Sequence, residues 1–243
     1  MFCNKIDIDQ LEYKTPTSNR SGGKVVHVST VAGSSDYKDR IRFQMSEDDK
    51  TNLQTAVWGL STPLPTQDNS RRTLELTVDS PALATFLQKL DEKNMNTALQ
   101  QSPEWFKKTL DEGDIKHMYV RLYKPPTNES KEPKATCRVK VKCGDYPTNI
   151  YVVQDSDAEG NLTYVRGGPD DLARGVKCVV ICETVGLWFM SRQFGMSLTA
   201  TEILVWPNRR STGIDAFTLT GSTKLYQSSL PKASADAEDF MVE

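Results

Sequence analysis

From Val176 to Trp206 the chain offers two long β-favouring runs joined by a short turn, and a hairpin of that length restricts the possible folds more than any other feature. The first arm reads Val-Lys-Cys-Val-Val-Ile-Cys-Glu-Thr and the second Ser-Leu-Thr-Ala-Thr-Glu-Ile-Leu-Val-Trp. Both carry the β-branched density of half-buried or buried strands. Between them Ser191, Arg192, Gln193 and Gly195 supply turn chemistry. Trp188, Phe189, Arg192 and Phe194 surround the tip. Aromatic faces and a guanidinium plane accept any unpaired base, so Trp188, Arg192 and Phe194 are candidate nucleic-acid contacts; the competing reading makes these aromatics core.

A chain of 243 residues can bury a sizeable core as one elaborated domain. No apolar run approaches the roughly 18 residues that a membrane span requires. Met1 to Gln10 alternates Asp and Ile instead of placing an apolar stretch behind a charged one, so no secretory signal is read and an intracellular location is expected. Five cysteines cannot all pair. Alternation puts Cys178 and Cys182 on one strand face and Cys137, Val139, Val141 and Cys143 on another. With only His27 and His117 as histidines and no tight Cys pairs, core thiols are expected, with no metal and no cofactor.

The formal net charge of -2 hides an uneven distribution. Arg121 to Lys142 holds seven basic residues against two acids, whereas Asp236 to Glu243 holds four acids and no base. Phosphate contacts depend on the local field and not on the sum.

Along the chain, residues 1–23 read as an extended arm and 227–243 as a disordered acidic tail, leaving 24–226 as one domain. Arg40 to Met45 alternates, with Arg40 and Arg42 on one side. Leu53 to Leu60 is strand-like and carries Trp58; Leu74 to Val78 alternates again. Ser80-Pro81 caps a helix whose apolar residues Leu83, Phe86, Leu87 and Leu90 predict helix from Ala82 to Lys93, and Ser102-Pro103 opens a second with Trp105 and Phe106 as core. Lys124 to Lys134 is a basic, proline-bearing loop. Thr136 to Cys143 then displays Arg138, Lys140 and Lys142 on one face, either a strand tracking a phosphodiester backbone or a charge-protected edge. Asn149 to Gln154, with Tyr151, and Leu162 to Arg166 flank Asp155 to Asn161; a calcium loop there would need Glu where Arg166 stands, so a hairpin turn is expected.

Short strands, a helical insertion and a basic strand face describe a mainly β protein. Among small barrels the oligonucleotide-binding fold, a five-stranded Greek-key barrel here elaborated by N-terminal strands and one or two helices, is the one whose sheet face and loops serve nucleic acid. Periodicity alone does not separate it from other all-β barrels. The succession Leu172-Ala173-Arg174-Gly175-Val176-Lys177-Cys178, Gly186-Leu187-Trp188 and Gln193-Phe194-Gly195-Met196-Ser197-Leu198, with Ser102-Pro103-Glu104-Trp105-Phe106-Lys107-Lys108 upstream, resembles the single-stranded-DNA-binding proteins of large DNA viruses infecting eukaryotes. The likeness covers roughly residues 103–206. It implies an oligonucleotide-binding barrel similar to phage and bacterial modules, action in viral DNA replication, recombination or repair, and residence in a host nucleus or viral replication compartment. It also implies partner docking through an acidic tail with an aromatic, here Asp239 and Phe240, although Phe240 is not the last residue as in the usual pattern.

The reading that follows is a non-catalytic, largely sequence-independent binder of single-stranded DNA, with replication proteins as further partners and self-association left open. Phosphate contacts would come from Arg40, Arg42, Lys124, Lys134, Arg138, Lys140 and Lys142, and stacking from Trp58, Tyr151, Trp188 and Phe194. No triad, phosphate loop or converging carboxylates argue for an enzyme. The alternative is a protein-interaction or virion-structural β-barrel module without nucleic-acid binding.

Overall fold

A computed structural model describes residues 2–18, 22–30, 40–45, 53–63, 70–127, 134–156 and 162–208. After a short 3-10 turn at Cys3–Lys5 come β1 (Glu12–Tyr13), β2 (Thr17–Ser18), β3 (Lys24–Ser29), β4 (Ile41–Gln44), β5 (Gln54–Leu60) and β6 (Arg71–Thr77). Three helices follow, α1 (Pro81–Gln100), α2 (Ser102–Phe106) and α3 (Glu112–Met118). Then come β7 (Tyr119–Val120), β8 (Thr136–Lys142), β9 (Asn149–Ser156), β10 (Leu162–Arg166), β11 (Lys177–Phe189) and β12 (Phe194–Trp206).

Five of these strands close a ring in the order β5-β6-β8-β12-β11 and back to β5. All pairings in it are antiparallel except β8 with β12, which is parallel. The protein is therefore a mainly β, five-stranded Greek-key barrel with additions, as the sequence suggested. Alternation fills the interior: Leu74 and Leu76 from β6, Cys137, Val139 and Val141 from β8, Cys178 and Val180 from β11, and Leu198 and Ala200 from β12 are all wholly buried. Of the thiols expected in the core, Cys3, Cys137, Cys178 and Cys182 are buried while Cys143 is only partly so, and burial pushes those of Cys137 and Cys178 up to about 12.

The long hairpin is the spine. Along one edge β11 pairs in turn with β5, β4 and β3, and β12 pairs in turn with β7, β8 and β9. Gly186 permits the first arrangement, because its φ is +142° and a Cβ there would lie 2.0 Å from the Val26 carbonyl oxygen.

Helix α1 starts as expected, with the Ser80 hydroxyl accepting the Leu83 amide at 3.2 Å and Pro81 in the first turn. It runs on to Gln100 instead of ending at Lys93, because Asp91, Asn94, Met95 and Ala98 extend its buried face. The polar members of that face are satisfied. Asp91 accepts Tyr119 Oη at 2.8 Å and the amides of Leu122 and Tyr123 at 3.0 and 3.1 Å. Asn94 donates to Tyr119 Oη at 2.8 Å and accepts Tyr13 Oη at 2.6 Å. Burial raises the pKa of Asp91 despite its three donors, and raises those of Tyr119 and Tyr13 as well. A third helix, unforeseen in sequence, is capped by the Asp111 side chain on the Asp114 amide at 2.8 Å. The arm, read as extended, packs Cys3 and Leu11 into the common core.

Candidate nucleic-acid interface

The outward face of β6 and β8 is fixed by register. Arg71 lies opposite Lys142, Thr73 opposite Lys140, Glu75 opposite Arg138 and Thr77 opposite Thr136. Leu74 and Leu76 point the other way into the barrel, so all three cations expected on β8 line one face, with Arg71 added from β6. Two like charges directly opposite each other, as Arg71 and Lys142 are, cost stability unless an anion lies between or beside them. Further along the same line Lys134 lies 3.4 Å from Asp79, and Lys124 forms a backbone bridge to Thr136.

This face is not a bare cationic strip. Arg138 donates through Nε and Nη2 to Glu75 at 3.3 and 3.2 Å, and Lys140 donates to Thr73 Oγ1 at 2.8 Å. Lys142 stands 3.8 Å from Glu183, and Arg42 stands 2.8 Å from Glu202. The Arg138–Glu75 and Arg42–Glu202 pairs reach solvent and are individually weak, typically below about 1 kcal/mol, so a phosphate can replace the carboxylate as partner, whereas Glu183 is buried and holds Lys142.

On β5, next to this face, the five residues from Ala56 to Leu60 span the distance that the three from Leu74 to Leu76 span on β6, and the resulting bulge turns Trp58 outward. Trp58 is 66% exposed. Gly59 makes the bulge possible with φ +76°, since a Cβ would meet the Leu172 carbonyl oxygen at 2.8 Å and the Arg174 amide at 2.9 Å. The 172–176 loop is clipped to β5 by backbone hydrogen bonds from Ala56 to Val176, from Gly175 to Ala56 and from Leu60 to Leu172. That clip places the Arg174 guanidinium 4.9 Å from the Trp58 ring centroid. An exposed indole with one face held by a cation and a row of cations beside it has the parts of a stacking platform and a phosphate track.

The other expected residues disperse. Phe194 is wholly buried, which corrects its assignment as a stacking residue: its ring lies 5.2 Å from Phe106, 5.2 Å from Tyr119 and 5.6 Å from Phe189. Helix α2 brings Trp105 and Phe106 over that end of the barrel, against Phe189 and Phe194. Trp188 is half-buried across Gly195, and of the tip residues Arg192 is exposed. Tyr151 is half-buried on β9 and meets the exposed Tyr164 of β10 at 5.4 Å. Arg40 borders a cavity described below. Asp239 and Phe240 lie outside the described residues.

Sequence reasoning missed Arg71 and Arg174. Alternation in Arg71-Arg72-Thr73-Leu74-Glu75-Leu76 points Arg71 outward, but nothing local says that Lys142 faces it. Arg174 has no local signal beyond its neighbour Gly175, itself at φ +80°.

No family model matches the sequence, and no curated protein matches it. Among solved structures the chain is similar to the single-stranded DNA-binding protein of bacteriophage Enc34 in complex with ssDNA, with 8% identity and a TM-score of 0.41 over 81% of this chain and 97% of that one. It is also similar to gp2.5, a single-stranded DNA binding protein encoded by bacteriophage T7, with 13% identity and a TM-score of 0.41 over 84% of this chain and all of that one. Likenesses of this size do not decide function. The strand order and the residues on the barrel's surface bear that weight.

Proposed function

We propose that this protein binds single-stranded DNA without catalysis and with little sequence preference. One observation carries the reading: Trp58, 66% exposed and backed by Arg174, stands on the barrel beside the register-aligned cations Arg71, Arg138, Lys140 and Lys142. The face formed by the second and third strands of such a barrel is where oligonucleotides bind, and those strands here are β6 and β8. Stacked bases would contribute about 1–3 kcal/mol each and phosphates would exchange with the carboxylates already on the face. The hairpin motif supports kinship with the single-stranded-DNA-binding proteins of large eukaryotic DNA viruses, and with it protection of DNA during replication, recombination or repair. The acidic end with Asp239 and Phe240 is the proposed dock for replication partners.

The test is a fluorescence titration with oligo-dT and with a duplex of equal length. Oligo-dT should bind more tightly, and log affinity should fall against log salt by about 0.7 for each phosphate neutralised. Equal affinity for both, or none for either, would return the protein to the class of interaction modules.

A further inference from the structure

A cavity of about 560 Å³ opens between the N-terminal arm and β4, lined among others by Lys5, Asp7, Gln10, Arg40, Arg42 and Gln44. Its volume is that of a pocket for a small molecule or a single nucleotide. Lys5, Arg40 and Arg42 line it with one carboxylate, Asp7, while Arg42 is also paired with Glu202 at 2.8 Å, and two side-chain amides offer the donors and acceptors that base edges use. The wall is built in: a parallel bridge joins Phe2 to Gln44, and Cys3 and Leu11 of the same arm are buried in the core.

The cavity is not isolated from the basic face. Register runs from Arg42 to Glu183, from Glu183 to Thr199, from Thr199 to Lys140 and from Lys140 to Thr73, so one row of side chains winds round the barrel across β4, β11, β12, β8 and β6, with the Glu183 carboxylate buried within it beside Lys142. Four strand spacings make that row about 19 Å long. We infer that the cavity takes a nucleotide of the same bound strand, so that the nucleic acid crosses the barrel's strands from the Trp58 side toward Lys5 instead of following β8. The ligand class is a nucleoside phosphate within a single strand, and the inference rests on the single-strand reading above. Asp7 limits the affinity of the site, and Arg42 serves both the cavity and the row.

The experiment compares oligo-dT of about 4 and about 16 nucleotides, the two ends of the range that one such barrel covers, against the full chain and its Lys5→Ala, Arg40→Ala and Asp7→Asn variants. Lys5→Ala and Arg40→Ala should each weaken the long oligomer about fivefold at low salt and flatten its salt slope by about 0.7, while the short oligomer, held beside Trp58, keeps its affinity. Asp7→Asn, which removes no contact from the fold's core, should strengthen the long oligomer alone. Unchanged affinity for the long oligomer in all three variants, or an equal change for both lengths, overturns the crossing path. If the unaltered protein binds neither length, the single-strand reading itself fails, and that outcome is distinct from both.

Discussion

The Arg174 guanidinium lies 4.9 Å from the centroid of the Trp58 ring, and both groups are held there by backbone hydrogen bonds between β5 and the 172–176 loop. One indole face is thereby occupied and the side chain is kept from collapsing onto the barrel. A base reaching this platform meets a ring already ordered, which lowers the conformational cost of binding.

Trp58→Ala should therefore weaken oligo-dT binding by about 1–3 kcal/mol, the typical worth of one stacked base. Thermal stability should barely move, because substitutions at a site this exposed usually change it by less than about 0.5 kcal/mol. Fluorescence titration and a melting curve on the same preparation check both halves.

Arg71→Ala and Lys140→Ala should each flatten the salt slope of oligo-dT binding by about 0.7 with the fold intact. Lys142→Ala should differ, because it strips a buried Glu183 of its ammonium partner at 3.8 Å; a stability loss of about 1 kcal/mol in urea is expected beside the weaker binding.

Much of this was legible in local pattern. Alternation in Leu74 to Val78 and in Thr136 to Cys143 announced strands with an inner and an outer face, and the Ser80-Pro81 pair announced the start of α1. What local pattern cannot supply is register. Arg71 meets Lys142 and Arg42 meets Glu202 only because strands far apart in the chain pair in one alignment. The misassignment of Phe194 has the same origin: whether an aromatic near a hairpin tip faces water depends on what packs over it, and α2 arrives from 88 residues upstream, as the positions of Phe106 and Phe194 in the chain show.

Asp91→Asn should destabilise the fold by about 1–3 kcal/mol, since the amide NH2 would confront the Tyr123 amide that a carboxylate oxygen now accepts. The pH dependence has a defined sign. Because burial raises the Asp91 pKa above its ordinary 3.8, the folded state holds the proton more tightly than the unfolded one, so this group's contribution rises as pH falls through the raised value and fades as pH climbs past it. The unaltered protein should thus widen its advantage over the Asn variant on acidification, read by urea midpoints from neutral pH down to about pH 4.

Thiol chemistry gives an independent check on the barrel interior. Cys3, Cys137, Cys178 and Cys182 are buried, whereas Cys143 is partly exposed. Burial pushes the Cys137 and Cys178 thiols up to about 12, so both stay protonated and unreactive at about pH 8. Alkylation of the native protein should reach Cys143 first and the others only after denaturant, as mass spectrometry of the labelled peptides would show.

The spine formed by β11 and β12 has a kinetic consequence. Strands β3, β5, β8 and β9 each have one partner nearer in the chain, but β3, β4 and β5 find their second edge on a strand that begins at Lys177, and β8 and β9 find theirs on β12. Chain closure over more than a hundred residues precedes most of the reward, so folding should be slow for a protein of this size. A ribosome that has not yet released Trp206 holds a chain whose early strands have open edges, and in that interval those strands can pair with a neighbouring copy instead of with their own hairpin.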